Sequence, residues 1–94
     1  MSTPLDDAAV EEALSALPGW AHVDHKLQKR FQRADFPDAI AFITRLAFEA
    51  EKRGHHPELR NVYATVDIAL TTHDAGNRVT ALDVELAKAI DAVA

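Results

Sequence analysis

The chain has 94 residues, 48% of them hydrophobic, and a formal charge of -5, so one small domain over residues 1–94 with little stability to spare is expected, a setting that favours a homo-oligomer. The acidic balance argues against nucleic acid, whose phosphates need a basic surface, and the absence of cysteine removes disulfides, thiolate nucleophiles and thiolate metal sites. Residues 1–7 lack the basic start and apolar run of a signal peptide, and no apolar run reaches membrane-spanning length, so a cytoplasmic protein with no membrane partner is expected.

Thr3 and Pro4 resemble an N-cap and first helical position, with Asp6 and Asp7 in a first turn where the helix dipole favours acids. Leu5, Ala9, Ala13 and Leu17 then recur at helical spacing until Pro18-Gly19 stops the helix. Trp20 to Val23 and Lys26 to Arg33 predict two short strands around an Asp24-His25 turn, although Lys29 interrupts the alternation of Leu27 and Phe31. Asp35 caps a second helix with Pro37 and Asp38 in its first turn. Its apolar stripe is Ala39, Ile40, Ile43, Leu46, Ala47 and Ala50, and Gly54 sits where a left-handed terminator belongs.

After Pro57 the period changes to two. Val66, Ile68 and Leu70 share one side of a strand and Thr65, Asp67, Ala69 and Thr71 the other, with a shorter strand at Asn61-Val62-Tyr63 before it. Asp74-Ala75-Gly76-Asn77 is turn material. Thr80 caps a last helix bearing Leu82, Leu86, Ile90 and Val93, and Asp83 completes an acidic capping box. The order α-β-β-α-β-β-α with short loops predicts an α+β fold: a four-stranded antiparallel sheet with three helices packed on one face.

The residues able to do chemistry concentrate in Glu51-Lys-Arg-Gly-His55-His56-Pro57-Glu58 and Thr71-Thr72-His73. Imidazole is the side chain that gives and takes protons near neutrality. Glu51 falls at the edge of the apolar stripe and in a last turn unfavourable to acids, so it is either a solvated partner of Lys52 or Arg53 or a functional exception. His55 and His56 are either surface loop residues or site residues, and their side chains should diverge in an extended segment. His73 has the parity opposite to the core positions of its strand, which argues against a packed core histidine. His22 and His25 carry no neighbouring signal. Three histidines and a glutamate also form a zinc ligand set. Without a His-x-x-x-His pair, and with neighbouring rings diverging, an acid–base site with no metal and no cofactor is favoured.

Taken together, Glu51-x-x-x-His55-His56-Pro57-Glu58, Asn61-Val62-Tyr63, Thr72-His73-Asp74-Ala75-Gly76 and Asp83, with Gly19-Trp20 after the first helix, resemble the pterin-4a-carbinolamine dehydratase family over nearly the full chain. The resemblance implies an α+β fold assembled as dimers or tetramers. It further implies a hydro-lyase that converts 4a-hydroxytetrahydropterin to quinonoid dihydropterin, recycling the cofactor of aromatic amino-acid hydroxylases. Carried across, His55, His56 and His73 would be catalytic, with Glu51 orienting an imidazole and Asp83 as a supporting acid. His55, His56, Pro57, Thr72, His73, Asp74 and Ala75 would bind the pterin. The turn Gly76-Asn77-Arg78-Val79-Thr80 is longer than the family's usual Gly-Leu-Thr type of run, and capping alone would account for Asp83. Some members of the fold bind proteins instead, as a transcriptional coactivator or as assembly factors, which is the alternative expectation.

Overall fold

Two tight hairpins build the sheet. Asp24 and His25, with φ of 52° and 61°, supply the paired left-handed residues of a type I′ turn, joining β1 (Ala21–Val23) to β2 (Lys26–Gln32). β3 (Glu58–Val62) turns into β4 (Thr65–Leu70) through Tyr63 at φ 52°, where the Asn61 amide donates to the carbonyls of Tyr63 and Thr65. The computed structural model describes residues 2–94 and orders the strands β1-β2-β4-β3, every pairing antiparallel.

Leu27, Phe31, Val66, Ile68 and Leu70 form the buried inner face of this sheet. It is covered by α1 (Asp7–Leu14), α2 (Phe36–Arg53) and α3 (Ala81–Val93), which bury Val10, Ala39, Phe42, Leu46, Ala50, Leu86, Ala87 and Ile90 into one apolar cluster. The outer face carries a charge ladder instead, with Arg30 and Arg60 flanking Asp67 and Lys26 meeting Glu58. This is the predicted α+β architecture in the predicted order. Among the described residues no helix is long and apolar enough to cross a membrane.

Local details differ from the sequence expectations for identifiable reasons. α1 is capped by Asp6, whose carboxylate accepts from the Ala9 N–H at 2.8 Å, and not by Thr3. The Leu5 N–H is spent on the Val79 carbonyl, so the chain stays outside the helix until Asp6. Leu17, placed on this helix's apolar face, is buried beyond its end, because α1 stops at Leu14. On α2 the buried face is Ala39, Phe42, Leu46 and Ala50, whereas Ile40 and Ala47 are exposed together with Phe36 and Phe48. The helix carries two apolar sectors, which helical spacing alone reads as a single wide stripe. Tyr63 lies in the turn and not in β3, and Thr71 is buried, its hydroxyl donating to the His25 carbonyl.

Lys29 keeps the inward parity of Leu27 and Phe31. Its ammonium is held by the Asp91 carboxylate and the Pro18 carbonyl, both at 2.9 Å, and lies 4.6 Å from the Phe31 ring centroid. The Trp20 indole N–H donates to the same carboxylate at 3.1 Å. Gly19, at φ 84°, lets the chain pass this lysine, for an added Cβ would stand 3.0 Å from Lys29 Cε. Asp91 therefore ties the end of α3 to β2 and to the loop after α1. At the start of α2, Asp38 accepts from the Ala34 N–H and from Arg33, first the backbone bond and then the guanidinium holding its carboxyl below the usual aspartate range. Its contribution to stability is present above that range and lost as pH falls through the lowered value. Asp91→Ala leaves the buried Trp20 indole N–H unpaired and the Lys29 ammonium with the Pro18 carbonyl alone, and is expected to lower the unfolding free energy by about 1–3 kcal/mol. Urea titration followed by Trp20 fluorescence reads this, and an unmoved midpoint would contradict it.

Candidate active site

The β3–β4 hairpin places Glu58 opposite Ala69. Residues just before β3 and just after β4 must therefore share one end of the sheet, although His55 and His73 are far apart in sequence. Gly54 closes α2 in the left-handed conformation, φ 58° and ψ 31°, and the His55 N–H returns to the Ala50 carbonyl at 3.2 Å. This cap turns the chain sharply from helix towards sheet. After β4, Thr72 bridges to Arg78, enclosing a short 3-10 helix, His73–Ala75. Between the two chain ends lies a cleft of about 420 Å³ lined by Gly54, His55, His56, Pro57, Glu58, His73 and Asp74.

Behind it sits a carboxylate with no solvent exposure. Asp83 Oδ1 lies 2.5 Å from His55 Nε2, whose side chain is 11% exposed. Its Oδ2 accepts from the Thr72 hydroxyl at 2.8 Å and from the Thr80 N–H at 2.9 Å. Because Thr72 spends its only proton there, the 2.8 Å contact between the Thr72 and Thr80 hydroxyls must be donated by Thr80, which accepts in turn from the Leu82 N–H at 3.2 Å. With Oδ2 taken by two donors, Oδ1 is an acceptor for a proton on His55 Nε2. That leaves Nδ1 as the nitrogen free for a ligand.

The other two imidazoles are held at the surface. His56 Nε2 is 2.8 Å from Glu51 Oε1, with side chains 68% and 77% exposed. His73 Nδ1 is 2.7 Å from Asn77 Oδ1. Each of the three rings thus has one nitrogen engaged by an oxygen and one available, so the cleft can exchange protons with a bound molecule at several points. Among the described residues no three histidine, aspartate or glutamate side chains are grouped closely enough to hold a metal ion.

Of the residues singled out in the sequence, His55, His56, Pro57, His73 and Asp74 line the cleft. Thr72 and Asp83 are buried behind it. Glu51 stays on the exposed last turn of α2 and meets the cleft through His56 alone, while Ala75 is half-buried in the 3-10 helix and outside the lining. Asp83 completes the capping box with Thr80 and bonds His55 with its other oxygen. Asn77 and Thr80 were not anticipated as site residues. A left-handed asparagine four residues after a histidine, and a threonine capping the helix of a buried acid, are the signals that could have pointed to them.

Comparison with known proteins adds to this geometry. The family model for pterin 4 alpha carbinolamine dehydratase matches residues 3–93. A protein of Bradyrhizobium sp. strain BTAi1 is 53% identical over 92 residues, spanning 96% of this chain and 92% of its own. One from Opitutus terrae is 45% identical over 93 residues, spanning 99% and 96%. Both are named "Putative pterin-4-alpha-carbinolamine dehydratase". The crystal structure of a transcriptional coactivator/pterin dehydratase from Brucella melitensis, 40% identical, matches with a TM-score of 0.93 over 98% of this chain and 99% of that one. Agreement this complete, in sequence and in the path of the backbone, makes the chain a member of the pterin-4-alpha-carbinolamine dehydratase family.

Proposed function

We propose that this protein is a hydro-lyase that converts 4a-hydroxytetrahydropterin to quinonoid dihydropterin and water. The observation that carries the reading is the cleft shared by His55, His56 and His73, with one of the three imidazoles anchored on a buried carboxylate. In the reaction the C4a–O bond breaks, the hydroxyl leaves as water after taking a proton, and N5 loses its proton as the C4a=N5 bond forms. No electrons are exchanged with an outside partner, so acid–base groups suffice. His55 offers Nδ1 and His73 offers Nε2, nitrogens that are bare when the rings are neutral. A ring that carries a second proton there serves as the acid towards its face of C4a, and a neutral ring takes the proton that leaves N5. His56 positions the pterin with Glu51 behind it, and Thr72, Asp74 and Asp83 shape and support the pocket. The product can be reduced again, which suits recycling beside an aromatic amino-acid hydroxylase.

Self-association belongs to the same reading. Phe36, Ile40 and Phe48 are exposed on α2, an apolar face that water disfavours and a second copy can cover. The Brucella melitensis neighbour is described as a coactivator as well as a dehydratase, so protein binding on this fold is the alternative. A stoichiometric protein client together with no dehydration of added carbinolamine would favour that alternative.

Three outcomes are expected. His55→Ala and His73→Ala each lose roughly ten- to ten-thousand-fold in the rate of 4a-hydroxytetrahydropterin disappearance, and parent-level activity in both would remove the assignment. Asp83→Asn puts one acceptor and one donor where three donors converge, so it is expected to cost about 1–3 kcal/mol in stability as well as most of the activity; a variant equal to the parent in both would contradict the anchoring role. Sedimentation should find the parent heavier than its 10.3 kDa chain and Phe48→Asp shifted towards that mass, whereas a monomeric parent would refute self-association.

A further inference from the structure

We infer that Asn77 is a positioning residue that locks the tautomer and ring orientation of His73, an inference that rests on the dehydratase reading. The amide oxygen of Asn77, 2.7 Å from His73 Nδ1, can only accept. His73 must therefore carry its proton on Nδ1, opposite to the Nε2–H form that a free histidine side chain favours in water. Nε2 is left bare for the ligand. His73 is exposed, so this bond supplies the orientation that burial gives to His55.

The turn makes Asn77 suited to the task. Its φ is 59°, a left-handed conformation that asparagine tolerates better than most residues other than glycine. Its own N–H returns to the Thr72 carbonyl at 3.1 Å, the Gly76 N–H goes to the His73 carbonyl at 3.1 Å, and the Thr72 N–H goes to the Arg78 carbonyl at 3.0 Å. The backbone beneath the side chain is thus fixed at both ends. A hydrophobic residue in this place would offer no acceptor, and most would strain the turn. The titratable groups that line the cleft with this imidazole are Asp74 from the same turn and His55, His56 and Glu58 across it. Among the described residues the Asn77–His73 bond is the one hydrogen bond made by this ring, and it selects between the two nitrogens.

Two variants separate the possibilities. Asn77→Gly keeps the left-handed turn and removes the acceptor, while Asn77→Asp keeps an acceptor in place. Long-range 15N–1H NMR of neutral His73, in the full chain without ligand, should show the Nδ1–H tautomer in the parent and in N77D and a shift to Nε2–H in N77G. Dehydration kinetics should show a fall in kcat of roughly tenfold for N77G with little change in KM, and recovery in N77D. A parent His73 in the Nε2–H form, or an N77G variant unchanged in tautomer or in kcat, would overturn the inference. A shifted tautomer in N77G alongside a parent that dehydrates nothing would support the lock and sink the proposed reaction, so the two failures are distinguishable.

Discussion

A single carboxylate, excluded from solvent and offered three hydrogen-bond donors, joins the fold to the site. Burying an ionised group costs several kcal/mol unless its oxygens are satisfied. Asp83 meets that condition through Thr72, Thr80 and His55. These three partners come from the end of β4, the cap of α3 and the segment leaving α2. Moving any one of those elements would leave a buried donor or acceptor unpaired. The same bonds that stop α3 from fraying therefore hold the His55 ring, and His55 inherits the rigidity of the core.

The three imidazoles are held with graded strength. His55 is anchored from below in a dry environment, where a charge-assisted bond is strong. His73 depends on a turn whose backbone bonds set the direction of one amide. His56 relies on Glu51, and exposed pairs of that kind contribute about 0–1 kcal/mol. A site with one rigid edge and one adaptable edge can fix the reacting carbon of a flat ring while letting the ring enter and leave. The arrangement needs no specialised loop. It follows from an antiparallel hairpin whose first strand begins, and whose second strand ends, at the same side of the sheet.

Much of this was legible in the residues. The period-two run from Val66 to Leu70, the Asp35 and Gly54 boundaries of α2 and the Thr80–Asp83 capping box depend on local chemistry, and the structure shows them where local chemistry puts them. What escaped were properties set by distant partners. Leu5 leaves its helix because Val79 takes its N–H, and Lys29 fits the inner face only because Asp91 waits at the end of α3. α2 displays two apolar sectors, and spacing along one helix does not say which of them meets the sheet. Asp83 was visible as a cap, and its bond to His55 became visible only when β3 and β4 were paired. Asn77 looked like ordinary turn material because its acceptor role depends on a backbone conformation that composition does not reveal.

The most direct test uses the five histidines of the chain as reporters within one molecule. His22 and His25 sit together at the β1–β2 hairpin, their ring centroids 6.4 Å apart, outside the cleft lining. Titrating the protein with a dihydropterin while following all five imidazole resonances should shift His55, His56 and His73 along one saturation curve and leave His22 and His25 still. Ligand-induced shifts confined to the hairpin pair, or no saturable change at the other three, would contradict a pterin site built on the buried aspartate.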